Sequence, residues 1–146
     1  MNKAVLEFSS RSSNVAFARV AVAAFASQLD FTLSDLEEIK VAVSEAVTNA
    51  IIHGYDSNPD HTVRLEIKVA EEFLEIEVID GGRGIKDISK ALEPVYSTDP
   101  ERMGLGFAFM QSFMEKFALS SSPDQGTRVK MSRRAGAPGC KAMREQ

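Results

Sequence analysis

Glu45 and Asn49 stand four residues apart within Ser44-Glu45-Ala46-Val47-Thr48-Asn49-Ala50. On a helix that spacing puts both side chains on one face, and His53 continues the row. A carboxylate can take the proton of an attacking hydroxyl or water. An amide oxygen is a hard ligand suited to Mg²⁺, which takes few protein ligands and keeps several waters. The same pair is also what an ordinary solvated helix face looks like, and in isolation that plainer reading is the better one.

Three glycine segments follow in order. Asp80-Gly81-Gly82-Arg83-Gly84 closes an alternating run. Its glycines let the backbone turn sharply and approach a flat ligand, and its aspartate can accept a hydrogen bond from an exocyclic amine such as that of adenine. It is equally a plain turn after a strand. Gly104-Leu105-Gly106 opens an apolar segment, and the free N–H groups of a helix start make a phosphate site; two glycines there are also a flexible hinge. Gly126-Thr127, taken alone, reads as a hairpin turn. The chain has no Gly-x-x-x-x-Gly-Lys-Ser/Thr and no His-Arg-Asp or Asp-Phe-Gly, so any ATP chemistry uses another scaffold.

The elements that must position these residues are legible from periodicity. Ala4 to Ser9 reads as a strand, and Ser12 or Ser13 can cap a helix to about Leu29. Thr32 and Asp35 form a capping-box pattern before a longer helix with Leu36, Ile39, Val43, Val47 and Ala50 on its core face. That face leaves the Glu45 row pointing away from the packed side, and Gly54 is placed to end the helix. Thr62 to Val69 and Phe73 to Ile79 alternate as a hairpin. Lys86 to Met103 is weakly patterned, with Pro94 and Pro100, and reads as a loop. An apolar helix from Gly104 to about Phe117 precedes two strands, Ala118 to Ser122 and Thr127 to Ser132. Strands and helices are segregated, which favours an α+β sandwich with helices on one face of a mostly antiparallel sheet. Residues 1–132 are expected to form one domain and residues 133–146 a disordered tail.

At 146 residues and a net charge of −4, the chain fits one domain and is a poor match for a nucleic-acid backbone. Its one cysteine, Cys140, allows no internal disulfide, and no Cys/His group has zinc spacing. Val15 to Leu29 is the longest apolar stretch, and Arg19, Ser27 and Gln28 interrupt it too often for a membrane span. With no apolar leader evident, the expected compartment is the cytoplasm.

The ordered set Glu45-x-x-x-Asn49, Asp80-x-Gly82-x-Gly84, Gly104-x-Gly106 and Gly126-Thr127 resembles the four motif boxes of the GHKL ATPase/kinase superfamily. Val43 to Tyr55, Phe17-Ala18-Arg19-Val20, and Gly104-Leu105-Gly106-Phe107 with Met110, Phe113 and Met114 are similar to the anti-sigma-F family of endospore-forming bacteria. The resemblance covers roughly residues 3–132. It implies a GHKL (Bergerat) two-layer sandwich that binds ATP or ADP with Mg²⁺. Glu45 would be the general base, Asn49 the metal ligand and Asp80 the adenine-binding aspartate. Gly82, Gly84 and Thr127 would complete the base pocket. Gly104, Leu105 and Gly106 would lie by the phosphates, residues 93–103 would form a lid, and Arg102 would be a lid arginine. Arg19 would be a partner contact. The implied protein is a homodimeric protein-serine kinase of sporulation that holds a sigma factor and phosphorylates a serine on an anti-anti-sigma protein. The alternative is an ATP-gated binding module of a stress-response partner switch with little phosphotransfer; a sensor histidine kinase fragment ranks last. Lys86 departs from the proline frequent after the second motif, and Met103 replaces a small residue.

Overall fold

Thr32 and Asp35 form both halves of the capping box in a computed structural model that describes residues 1–93 and 103–136. Thr32 Oγ1 accepts from the Asp35 N–H and the Thr32 N–H donates to Asp35 Oδ2, each at 3.0 Å. They start α2, Leu33–Asn49, whose Ile39, Ala42, Val43, Ala46 and Val47 are buried. Gly54 does not simply stop it. The helix widens into a π turn over Ala50–Gly54, and the Tyr55 N–H reaches back to the Ala50 carbonyl at 3.0 Å. Such wide turns recur at functional sites. Here the turn brings His53 and Gly54 inward, where both are buried.

Before it, β1 (Asn2–Ser9) leads to α1 (Asn14–Ala26), which buries Ala18, Val22 and Ala26. Neither serine caps α1 through its side chain; Asn14 instead donates to the Ser9 carbonyl at 2.9 Å. The helix ends three residues short of Leu29. Phe17 and Val20 on it are exposed.

After α2 come β2 (Thr62–Ala70), β3 (Phe73–Asp80), the single-turn α3 (Ile88–Ala91), α4 (Gly104–Phe113), β4 (Lys116–Ser121) and β5 (Thr127–Arg134). The sheet order is β1-β2-β3-β5-β4, with every neighbouring pair antiparallel. Val63, Leu65 and Ile67 on β2, Leu74, Ile76 and Val78 on β3, and Val129 and Met131 on β5 are buried. The alternate rows carry ion pairs such as Lys3–Glu66 at 3.2 Å and Lys130–Glu75 at 2.8 Å. One face is therefore core and the other solvated, as the alternation predicts. The two-layer α+β expectation holds.

Two further boundaries differ from the sequence reading. α4 ends at Phe113, because Met114 turns extended and Lys116 and Phe117 pair with Ser132 and Met131 of β5. More consequentially, β5 runs past Ser132 through Arg133 and Arg134. Arg133 takes the next inward position after Met131 and is only 5% exposed. It donates to Asp35 Oδ1 at 2.6 Å, to the Phe113 carbonyl at 2.9 Å and to Glu38 at 3.4 Å. A buried strand residue held by three partners is no start of a tail. Residues 137–146, the rest of that expected segment, lie outside the described residues.

Candidate functional site

Asp80 is the last residue of β3, on the inner face of the sheet and 6% exposed. It lies opposite Thr127 on β5. Its carboxylate sits against the π turn: a Cβ on Gly54 would lie 2.7 Å from it, so only glycine fits there. The Gly82 N–H donates to Oδ1 at 2.9 Å. Burial pushes the Asp80 carboxyl up to about 6, against the pull of the Gly82 and Thr127 backbone hydrogen bonds. On the other side Gly126 holds a φ of +76°, and a Cβ there would strike the Asp80 carbonyl. Gly84 is likewise at positive φ, beside Ser122.

The loop after β3 is tied down from below. Tyr55 stacks on His61 at 4.6 Å between ring centroids, accepts from the Gly81 N–H at 2.7 Å and donates to the Thr62 carbonyl at 2.6 Å. Arg83 Nε donates to the His53 carbonyl at 2.6 Å. Above this floor Asn49, His53, Gly54, Asp80, Ile85, Met103, Phe107 and Thr127 line one pocket, with Ala46, Val78 and Val129 as its apolar walls. An apolar slot with a few polar groups at one end suits a flat heteroaromatic ring.

Asn49 lines the pocket, and Glu45 lies one helical turn earlier on α2, beside the lining rather than in it. Glu45 and Asn49 do not project into solvent as the helix stripe suggests, because α4 packs across α2. A Cβ on Gly106 would lie 2.8 Å from Glu45 Oε2 and 3.5 Å from Asn49 Nδ2. Burial raises the Glu45 carboxyl above its ordinary value, which brings a general base nearer working pH. Asn49 Nδ2 is fully buried without a hydrogen-bond partner. Such an orphan is costly unless a ligand engages the amide group. Gly104, Leu105 and Gly106 are the first three residues of α4, where backbone N–H groups lack helical partners.

These residues fit Mg²⁺ with a nucleotide: the Asn49 amide oxygen is a hard donor, and it lies with the Glu45 carboxylate against the start of a helix. No group of three His, Cys, Asp or Glu that could hold a metal occurs among the described residues, so phosphate and water oxygens would supply the remaining ligands. The structure thus brings together Glu45, Asn49 and Gly106, and separately Asp80, Gly82, Gly84 and Thr127. Arg102 and most of the expected lid lie outside the described residues. Arg19 lies on α1 with Nη1 3.4 Å from Ser44 Oγ, beside the residue that precedes Glu45. Tyr55 and Ser121 were missed as site residues. Tyr55 directly follows the helix-ending glycine, a weak signal; a serine at a hairpin end gives none.

Comparison with known proteins agrees with this geometry. Residues 8–133 match the histidine kinase-like ATPase domain. An anti-sigma F factor of Clostridium botulinum is 48% identical over 91% of this chain and 94% of its own length. One from Oceanobacillus iheyensis is 49% identical over 90% of this chain and 92% of its own. A crystal structure of the RsbU and RsbW domains of a Mycobacterium tuberculosis protein superposes with a TM-score of 0.62 at 19% identity; it covers 92% of this chain and 33% of that one, and supports the fold. Among the described residues no helix is long and apolar enough to cross a membrane. With the Glu45–Asn49 pair, the Asp80 pocket and the glycine-opened helix in that family's order, the chain belongs to the histidine kinase-like ATPases and, among them, to the anti-sigma F factor family.

Proposed function

We propose that the chain is an anti-sigma factor and protein-serine kinase that uses Mg-ATP to phosphorylate a serine of an anti-anti-sigma protein. The carrying observation is that Gly106 brings the start of α4 within van der Waals reach of Glu45 and Asn49. A pocket meant only to hold a nucleotide has no need of a desolvated carboxylate at its phosphate end. The sigma-factor role rests on the names of the relatives. The exposed Phe17 and Val20 flanking Arg19 on α1 give a surface for a partner or a second copy of the chain. We place this activity in the cytoplasm.

Asp80 accepts from the exocyclic amine of the base, Thr127 completes the pocket beside it, and Ile85, Phe107 and Val129 exclude water around it. Asn49 would hold Mg²⁺, which would supply positive charge to offset that of the phosphates. Glu45 accepts the proton of the substrate serine as that oxygen bonds to the γ-phosphorus and the bond to the leaving ADP oxygen breaks. The Gly104–Gly106 amides face the charge that develops, and Arg102 is assigned to the same role.

The experiment is transfer of label from γ-labelled ATP to the anti-anti-sigma protein, by wild type and Glu45→Gln. The variant should lose about 10²- to 10⁴-fold in transfer and keep its ATP affinity and sigma binding. Wild type that binds ATP yet transfers nothing would leave an ATP-gated binding module instead.

A further inference from the structure

The phosphate end is built from two helices: Glu45 and Asn49 belong to α2, and Gly104, Leu105 and Gly106 open α4. The two run antiparallel. Gly106 at the start of α4 lies against Glu45 and Asn49 in the second half of α2. At the opposite end, Phe113 of α4 and Asp35 and Glu38 of α2 meet around Arg133 of β5. How far one helix is shifted along the other therefore decides where the α4 amides stand relative to Glu45 and Asn49. The tolerance is small, since a Cβ on Gly106 would already lie 2.8 Å from Glu45 Oε2. A slide of α4 by one residue's rise, about 1.5 Å, would move its amides by about half the length of a hydrogen bond.

Apolar packing alone holds such a shift loosely. α4 buries Gly106, Phe107 and Met110, and contacts of that kind, a flexible methionine among them, are non-directional and adapt to small slides. Hydrogen bonds to a guanidinium are directional, and its planar fork fixes its acceptors relative to one another. Arg133 Nη2 donates to Asp35 Oδ1 at 2.6 Å and Nη1 to the Phe113 carbonyl at 2.9 Å, with Glu38 Oε1 at 3.4 and 3.5 Å from the two nitrogens. Asp35 is itself held, because its Oδ2 accepts from the Thr32 N–H in the capping box. The β4–β5 ladder fixes the end of α4 to the sheet, and Arg133, on the same strand, carries that fix across to α2. Its charge also suits the carbonyl end of the α4 dipole.

We infer that Arg133 is a positioning residue for the nucleotide's phosphates: by pinning the far ends of α2 and α4 it sets the register that brings the Gly104–Gly106 amides to Glu45 and Asn49. The inference rests on the ATP-binding reading and deepens it. About 10 Å of helix separates Phe113 from Gly106, so Arg133 acts through the placement of α4 and not by touching the ligand. The Asp80 base pocket does not depend on it.

The test compares Arg133→Lys with wild type on the full chain in Mg²⁺, through dissociation constants for ATP and for adenosine, which carries the base without the phosphates. Lysine keeps a charge beside Asp35 and Glu38 but lacks the fork that reaches the Phe113 carbonyl at the same time. ATP should bind about 10-fold more weakly, the worth of one charge-assisted hydrogen bond, while adenosine binds as it does to wild type. A merely structural role for Arg133 would weaken both ligands by one factor or neither. An unchanged ratio of the two constants therefore overturns the inference, whatever the variant's stability. Should Arg133→Lys fail to fold, Asp35→Ser carries the same ratio test. It removes the shortest Arg133 contact and leaves Thr32 Oγ1 its bond from the residue-35 N–H; a wild-type ratio there overturns the inference equally. Wild type that binds neither ligand brings down the ATP reading and this inference with it. Wild type that binds both, with a ratio the variant leaves alone, brings down this inference only.

Discussion

At the Asp80 end of the pocket, polar groups are anchored by the protein itself: Asp80 by the Gly82 amide, Ser121 by three partners, Tyr55 by two. At the Glu45 end, Asn49 Nδ2 is buried with no partner, and burial alone moves the Glu45 carboxyl. The first end is finished without a ligand. The second is left for a ligand to complete. On the proposed reading, a rigid base site and an unsatisfied phosphate site would make nucleotide identity and phosphate state separable readouts. Stability and binding should therefore respond in opposite ways when the two ends are perturbed.

The largest effect is expected at Gly126. Its φ of +76° disfavours any L side chain, and a Cβ would sit 2.1 Å from the Asp80 carbonyl oxygen, where only backbone movement can relieve it. Gly126→Ala should cost about 4 kcal/mol in urea unfolding and abolish nucleotide binding. Gly81→Ala is the matched control. Its Cβ would meet nothing nearer than the Tyr55 hydroxyl at 3.8 Å, so stability should change by no more than about 0.5 kcal/mol. Equal losses at both positions would show that the base end is not the rigid one.

Asp80 comes next, with a sign that runs against ordinary carboxylates. Its folded carboxyl is raised from 3.8 to about 6, so between those values the folded protein holds a proton that the unfolded chain has released. Stability is then unaffected below about pH 4, falls as pH rises toward 6, and stays lowered above it by about 3 kcal/mol. Asp80→Asn should remove that slope and raise stability at neutral pH by about 1–3 kcal/mol, while losing ATP affinity. Urea midpoints at pH 5 and 7.5 read the slope directly; a variant with the wild-type slope would refute the assignment.

How much of this was written in the sequence depends on whether a residue's partner is near in the chain. The capping box at Thr32 and Asp35, the β2–β3 alternation and the α2 core row are local patterns, and each forms as read. Arg133 was misplaced into a tail because its partners, Asp35, Glu38 and the Phe113 carbonyl, come from α2 and the end of α4. Nothing around Arg133 marks it as buried. The π turn is likewise set by Gly54 packing on Asp80, a contact between residues far apart in sequence. Glu45 and Asn49 read as solvated because one helix shows its own core stripe and not the second helix that covers its other side. The ordered glycines carried the site because they record close approaches, and close approaches between distant segments are what sequence otherwise hides.

Asn49 gives a smaller stability change than Gly126 or Asp80 and the sharpest contrast between the two ends. Removing a buried amide nitrogen that has no partner relieves a desolvation cost of about 1–3 kcal/mol, and alanine is also the better helix former. Against this stands a small cavity facing Gly106. Asn49→Ala should therefore leave the ligand-free protein as stable as wild type or about 1 kcal/mol more so. The same variant should lose at least about 10-fold in ATP affinity when Mg²⁺ is present, and far less with EDTA. Thermal shifts with and without Mg-ATP measure both in one experiment. A variant that is destabilised when free and binds Mg-ATP normally would mean that Asn49 serves the fold of α2, and that the phosphate end is as complete as the base end.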